Sequence, residues 1–423
     1  MPDFSKALRQ LRPKELSQRQ LFQSDNPVAS LSRQLVFLKS RSPRQTVELT
    51  PLEGVEEVTR LGRHLLIRSV YGEDHYHGNV RIGRFSCTDL QRFMSVMKHK
   101  ATIADRDAIV FLDTETTGIQ GGTGMVPFLV GLGYFEGEDF QMVQYFIRDF
   151  DEEASMLLAL GDLLQRFKLV ITYNGATFDI PLLETRFTLA RLDSPFASLS
   201  HLDLLPGARR LWRNGHGSCR LAALESRIVT FFRGPDIPGS MIPQAYFDFL
   251  RGRGSAVMSS VLKHNVHDVV SLAALAIAAC DRVVDEPAPL DNPLDLYSLA
   301  RIMDNTAEWK YAIRLYEMAL SGGLPDPILF KAHENLAVLS RRAGDHSRAL
   351  ALCEALMAHS SFSMAAHEGA AIHYERIAGD PHRALEIVER ALVRLEDAPE
   401  TRRWRASLQA RRERLRQKAI QFQ

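Results

Sequence analysis

Residues 107–118 have the sequence DAIVFLDTETTG, an apolar run that ends in two carboxylates, Asp113 and Glu115. A short apolar run of this kind predicts a buried central β-strand. Because side chains alternate along a strand, Asp113 and Glu115 lie on the same face. Two carboxylates on one face repel each other unless a cation or a proton separates them, so the pair is a candidate metal site. A structural ion pair would explain the same spacing.

A second acidic residue, Asp179, ends the sequence NGATFD at residues 174–179. The apolar run LVITY before it predicts another buried strand, and FDIPLLETRFTLARL predicts a helix after it. Asp179 therefore lies where a strand passes into a helix. It is either a ligand for the same cation or a helix-start residue favoured by the helix dipole.

The third element is HNVHD, residues 264–268, in a helix that continues as VVSLAALAIAA. His264 and Asp268 are four residues apart and lie on one helical face. A histidine one turn from a metal ligand can accept a proton from an attacking water. The alternative is a surface histidine or one that only supports the ligands. His267 points away from that face.

The elements around these motifs follow a recognisable order. Two further strands, MVPFLVGLGYFEG and FQMVQYFIRDF, precede a helix with Leu157, Leu160 and Leu164 at helical spacing. Three strands, then helix, strand, helix, strand and a helical remainder predict an α/β RNase H-like domain, a mixed sheet flanked by helices. We expect it to span residues 101–285.

The preceding residues divide into two predicted segments. Residues 1–45 are basic and aperiodic, which indicates a partly disordered arm. Residues 46–100 predict a β-rich extension, with HLLIRSVYG and HGNVRIGRF forming a hairpin around Gly72-Glu73-Asp74. His75 and His77 would share one strand face and could bind a metal or phosphate, or be ordinary hydrogen-bonded histidines.

Residues 290–400 contain an internal repeat. Ala312, Ala349 and Ala384 recur at intervals of roughly 35 residues, and Gly-Asp occupies the turns at 344–345 and 379–380. This predicts an all-α domain of tetratricopeptide-like repeats, able to bind a protein partner. Residues 401–423 predict an Arg-rich helix, whose cations would neutralise phosphates or form a solvated face.

Bulk composition excludes several classes of protein. The chain has 423 residues and a net charge of +1, so it is not a globally basic nucleic-acid binder. It lacks both a continuous membrane-spanning apolar run and a secretory signal, which predicts a cytoplasmic protein without membrane contact. The four cysteines form no CxxC pair, which argues against a cysteine zinc site.

The three acidic motifs together resemble the DEDD exonuclease superfamily, which includes polymerase proofreading domains. The resemblance is closer to its bacterial YprB-like branch, whose RNase H-like domain often precedes helical repeats. It is carried by YNGATFDIPLLETR, HLDLLPGARRLWR, SCRLAALE, DIPGSMIPQAYFDFLR and VLKHNVHDVVSLAAL. It covers residues 45 to 285, and the repeats extend it.

The resemblance implies a 3′-5′ exonuclease that cleaves single-stranded DNA or RNA with two Mg²⁺ or Mn²⁺ ions. Asp113, Glu115, Asp179 and Asp268 would be the metal ligands. His264 would be the proton acceptor, although the family places a tyrosine four residues, or a histidine five residues, before the last aspartate. This chain has histidine at the tyrosine position.

Four further residues are candidates for substrate binding. Thr116 and Thr117 would contact a terminal nucleotide, Asn174 a sugar or phosphate, and Phe178 a base. Purely structural roles would also account for them. Two alternative functions stay open at this stage: an endonuclease of the same fold acting on structured nucleic acid, and a catalytically weak scaffold that binds partners through its repeats.

Overall fold

A computed structural model describes residues 52–421, except 86, 101–102, 104, 119–123, 283–291, 307 and 396–400. The arm predicted at residues 1–45 lies outside the described residues.

A mixed sheet organises the first part of the chain. Seven strands in the described residues form it, in the order β1-β2-β7-β6-β5-β8-β9, and β3 pairs separately with β4. Strands β5, β8 and β9 are parallel, and the other pairs are antiparallel. The strands are β1 Val55–Thr59, β2 Gly62–Tyr71, β3 Tyr76–His77, β4 Val80–Arg81, β5 Ile109–Thr116, β6 Pro127–Glu136, β7 Asp139–Phe146, β8 Leu169–Thr172 and β9 Ser200–Asp203.

Helices cover both faces of this sheet and form the second part of the chain. They are α1 Cys87–Val96, α2 Glu153–Leu164, α3 Asp179–Leu189, α4 Leu204–His216, α5 Leu221–Leu224, α6 Ile242–Leu250, α7 Ser255–Asp281, α8 Pro293–Met303, α9 Trp309–Ser321, α10 Asp326–Arg342, α11 His346–Ala358, α12 Met364–Arg376, α13 Pro381–Arg394 and α14 Arg402–Gln421.

Strand β5 lies inside the sheet, between β6 and β8, and it is apolar on both faces. Ile109 and Phe111 belong to one hydrophobic core, and Val110 and Leu112 belong to the core on the other side of the sheet. A strand buried on both faces has a continuous apolar run rather than an alternating one. The predicted fold class, an RNase H-like mixed sheet with flanking helices followed by a helical region, is confirmed.

The hairpin predicted around residues 72–74 is wrong. Strand β2 pairs with β1 on one side and with β7 on the other, so its hydrogen-bonding edges are already occupied. The region predicted as a separate extension therefore contributes two strands to the same sheet. His75 and His77 do not share a strand face, since β3 covers only Tyr76 and His77.

Helix α7 is the long apolar helix that carries HNVHD. Among the helices that the structure describes, its segment Ala256–Asp281 is the one long and apolar enough to cross a membrane by length and composition. The most apolar part of that segment is 72% buried within the fold, where the helix packs against β5 and β6. Burial in the core accounts for its composition.

Helices α8–α13 form three successive pairs, and α14 packs against α13. Ala312, Ala349 and Ala384 are buried near the start of the second helix of each pair. Asp345 and Asp380, after the Gly turns, cap the second helices by accepting hydrogen bonds from backbone amides. The assignment as tetratricopeptide-like repeats and the protein partner stay predictions.

Several basic side chains of helix α14 form ion pairs with acidic residues of the preceding helices. Arg411, Arg414 and Lys418 all pair with Glu375, whose side chain is only 2% exposed. Arg416 pairs with Glu389. These four cations hold the helix against α12 and α13, which favours the solvated-face interpretation over phosphate binding for this part of the helix.

Candidate metal and active site

The end of β5 supplies the first two carboxylates. Asp113 and Glu115 alternate with the buried Thr114 and Thr116, as the strand period requires. Asp113 lies opposite Gly131 of β6 in the register of the sheet. The side chains of Asp113 and Glu115 therefore project together on the face covered by α7.

Asp179 is fixed at the first turn of α3. The Thr114 hydroxyl donates a hydrogen bond to Asp179 Oδ1 over 2.5 Å. Burial raises the pKa of Asp179 to about 6, although the hydrogen bond from Thr114 acts in the opposite direction. This carboxyl group therefore holds its proton more tightly than an ordinary aspartate.

The loop before Asp179 is organised by Asp203, at the end of β9. Asp203 Oδ1 accepts a hydrogen bond from the amide of Asn174 over 2.8 Å, and its Oδ2 accepts one from Ala176 over 3.3 Å. Asn174 has a left-handed backbone, with φ of 67°. At Gly175 a Cβ atom would overlap the side chain of Thr172, so the tight turn requires glycine.

Helix α7 reaches the first carboxylate through a residue that the sequence did not single out. Asn265 Nδ2 donates a hydrogen bond to Asp113 Oδ2 over 2.8 Å. The side-chain oxygen of Asn265 accepts one from Gln144 Nε2 of β7 over 2.9 Å. Asn265 is fully buried, so this chain of amides fixes the orientation of Asp113.

His264 and Asp268 lie on the same face of α7, as predicted. The Nε2 atom of His264 is 3.9 Å from Glu115 Oε1 and 3.5 Å from Asp268 Oδ2. One potential ligand atom from each of Glu115, His264 and Asp268 lies within 4.8 Å of the others. The structure thus brings α7 to the end of β5 that carries the D-x-E pair.

The carboxylates share one electrostatic environment. Burial raises the pKa of Asp113 well above its ordinary range, and the charges of Asp268, Glu115 and Asp179 raise it further. Burial and the charge of Asp268 have the same effect on the pKa of Glu115. Burial also raises the pKa of Asp268. A divalent cation would relieve this repulsion, and carboxylate oxygens are the donors that Mg²⁺ and Mn²⁺ prefer.

Two charged residues outside the predicted set also contact this site. Asp236 Oδ2 is 2.9 Å from His264 Nδ1, and Arg233 pairs with Asp268. Burial alone would raise the pKa of Asp236, but hydrogen bonds from His264 and Arg233 lower it below its ordinary value. Both residues lie in RGPD, an irregular segment with no periodicity to indicate a role. Asp236 begins DIPGSMIPQAYFDFLR, one of the stretches that carry the family resemblance, but nothing in that stretch indicated a contact with His264.

The other histidine of HNVHD faces elsewhere, as predicted. The ring of His267 packs edge-on against Phe231, with 5.3 Å between centroids. Burial lowers the pKa of His267 to about 4, so it is neutral at physiological pH. His77, from the predicted histidine pair, is buried and hydrogen-bonded to Ser271 over 2.7 Å.

The predicted substrate-binding residues flank the carboxylates. The Thr116 hydroxyl donates to the carbonyl of Gly118 over 2.7 Å, and the Thr117 hydroxyl accepts from the amide of Val126 over 3.0 Å. Both hydroxyls therefore hydrogen-bond to backbone groups of the chain next to the end of β5. Asn174 is exposed and Phe178 half-buried on the loop before Asp179. Substrate contact by these four residues stays a prediction.

Gly131 allows α7 to approach the sheet, and Gly131→Ala is expected to destabilise the protein. The added Cβ atom would overlap the side-chain oxygen of Asn265. Overpacking of this kind costs about 1–3 kcal/mol, here with loss of the hydrogen bond from Asn265 to Asp113. Urea denaturation of the single variants and of Gly131→Ala/Asn265→Ala measures the free energy of unfolding.

The double variant is the control for that clash. Without the Asn265 amide, the alanine at position 131 has space, so the double variant should be about as stable as Asn265→Ala alone. Strictly additive losses would contradict the close approach of α7 to β6.

Comparison with known proteins agrees with this geometry. Residues 110–280 match the model of the RNase H superfamily, from β5 to the end of α7, and the match includes all four carboxylates. An uncharacterised protein of Bacillus subtilis, YprB, is 28% identical over 340 residues, which cover 78% of this chain and 80% of that relative.

Proposed function

We propose that this protein is a DEDD-type 3′-5′ exonuclease that hydrolyses single-stranded DNA or RNA with two Mg²⁺ or Mn²⁺ ions, because residues 110–280 match the RNase H superfamily model. The observation that carries the proposal is the meeting of the buried Asp179 from α3 with half-buried carboxylates from β5 and α7. Burial raises the pKa of each of these carboxyl groups, and the charges of the others raise the pKa values of Asp113 and Glu115 further, an arrangement typical of a cation site rather than of a stable core.

The donor set suits hard divalent cations. Asp113, Glu115, Asp179 and Asp268 would hold the ions. Bound ions of this type supply an activated water and neutralise the charge on the leaving oxygen of the phosphodiester.

His264 is the proposed proton acceptor. Asp236 accepts a hydrogen bond from its Nδ1 atom over 2.9 Å, which leaves the Nε2 lone pair directed at Glu115 and Asp268. A histidine oriented by a carboxylate in this way can take a proton from water. This geometry supports a catalytic role for the histidine that occupies the family's tyrosine position.

Substrate contacts would come from the rim of the site. Asn174 and Phe178 lie on the loop that leads into Asp179, where a sugar-phosphate and a base could bind. Thr116 and Thr117, at the end of β5, would contact a terminal nucleotide there, where both hydroxyls and the Thr117 amide already have partners within the protein.

A panel of labelled single strands tests the direction and mode of cleavage. Linear DNA and RNA labelled at the 5′ end, and circular single-stranded DNA, are incubated with the full chain and Mn²⁺. We expect progressive shortening of the linear strands from the 3′ end, and intact circles. Opening of the circles would show endonuclease activity instead. Failure to cleave any of the substrates would contradict the proposed function.

A further inference from the structure

A buried arginine connects the separate acidic residues on the α7 side of the site. Arg233 lies between the π-helical turn Glu225–Val229 and the turn Gly239–Met241, and its side chain is 10% exposed. Its Nε donates to Glu225 over 2.7 Å, and one terminal nitrogen donates to Asp268 Oδ1. The other terminal nitrogen donates to Asp236 Oδ2 over 3.3 Å.

The partner of Arg233 on the side away from the metal site, Glu225, is itself fixed by hydrogen bonds to core residues. Glu225 also accepts a hydrogen bond from the Ser271 hydroxyl over 2.5 Å, and Ser271 is bonded to His77. The ring of Phe231, two residues before Arg233, stacks on His77 with 3.8 Å between centroids. The guanidinium is therefore fixed by core residues rather than by solvent-exposed ones.

The charge of Arg233 is shared among the three carboxylates that it contacts. Glu225, with a side chain 2% exposed, is its buried counter-ion. The remaining attraction of the arginine acts on Asp268, so Arg233 also offsets part of the negative charge at the end of β5. All three guanidinium nitrogens contact carboxylates of the protein, so Arg233 is not free to bind a substrate phosphate. The guanidinium group is planar, so its hydrogen bonds also fix the orientation of the carboxylates that accept them.

We propose that Arg233 is a positioning residue that holds Asp268, and through Asp236 also His264, in the orientation that takes up the divalent cation. The guanidinium group donates to Asp268 Oδ1. The second oxygen, Oδ2, lies 3.5 Å from His264 Nε2 and would be available to the cation. Asp236 in turn accepts the Nδ1 hydrogen bond of His264. This inference rests on the proposed function, because it assigns Arg233 a role at the same metal site.

Mn²⁺ binding to the full chain, measured by titration calorimetry, tests the inference. Arg233→Gln alone leaves Glu225 buried without a counter-ion, which can unfold the protein. The informative variant is therefore Arg233→Gln/Glu225→Gln, which removes the guanidinium group and the buried charge together. Arg233→Lys keeps the positive charge but lacks the planar guanidinium group. Arg227→Gln removes an equal charge from the neighbouring π-helical turn, where the arginine bonds to the His216 carbonyl.

We expect the double variant to keep a cooperative melting transition without metal, which shows that it is folded, yet to bind Mn²⁺ about 10- to 100-fold more weakly. Arg233→Lys should also lose at least about tenfold, and Arg227→Gln should bind as the wild type does. Unchanged or tighter binding by the double variant, or full affinity in Arg233→Lys, would overturn the inference. A wild type that binds no Mn²⁺ would instead defeat the proposed function itself.

Discussion

Asp113→Asn is expected to lower the rate of cleavage of an end-labelled single strand by at least about 1000-fold, equivalent to roughly 4 kcal/mol of transition-state stabilisation. Asp113 is the carboxylate on which the charges of Asp268, Glu115 and Asp179 all act. Asparagine keeps the shape of the side chain but removes the anionic oxygen that a cation requires. Cleavage of a 5′-labelled strand under single-turnover conditions, with Mn²⁺ in excess, measures the change.

The matched control is Asp193→Asn, which makes the same substitution at an exposed position in the turn after α3. It should cleave at the wild-type rate. The fold of Asp113→Asn should persist, because the asparagine oxygen can still accept the hydrogen bond from Asn265. Cleavage by Asp113→Asn within about tenfold of the wild type would exclude the D-x-E pair from the chemistry, since loss of a metal ligand cannot be so mild.

The parts of the site that the sequence predicts are those that follow a regular period. Alternation along β5 places Asp113 with Glu115, and the helical period places His264 with Asp268. Asp179 follows from the passage of a strand into a helix. In each case the local geometry fixes the direction of the side chain, and parallel strands with an adjacent helix then bring the elements together.

The parts that the sequence does not predict depend on distances set by packing. Arg233 and Asp236 lie in an irregular segment, where no period indicates which way a side chain points. Asn265 contacts Asp113 only because Gly131 lets α7 lie close to the sheet. The hairpin was predicted wrongly for the same kind of reason, since the choice of β7 as a partner for β2 involves residues far apart in the chain.

Asp179→Asn is expected to stabilise the metal-free protein at pH 7.5 while weakening its response to Mn²⁺. The pKa of Asp179 rises from 3.8 to about 6 on burial, which corresponds to roughly 3 kcal/mol when the group is ionised. The native state binds this proton more tightly than the unfolded chain does. Stability from this group is therefore present below pH 3.8 and lost as the pH rises through about 6. Urea denaturation with a chelator, at pH 4.5 and pH 7.5, measures the difference between variant and wild type.

Asparagine cannot ionise, so the advantage of the variant should be only about 1 kcal/mol at pH 4.5 and approach about 3 kcal/mol at pH 7.5. Mn²⁺ should reverse the order, because a ligand stabilises the native state in proportion to its affinity, and the variant lacks one ligand. Asp193→Asn should match the wild type at both pH values and with or without Mn²⁺. A metal-free variant less stable than the wild type at pH 7.5 would mean that burial does not penalise the ionised form of Asp179. A cation would then gain nothing by neutralising Asp179, because the burial that penalises this charge is also what favours a cation beside it.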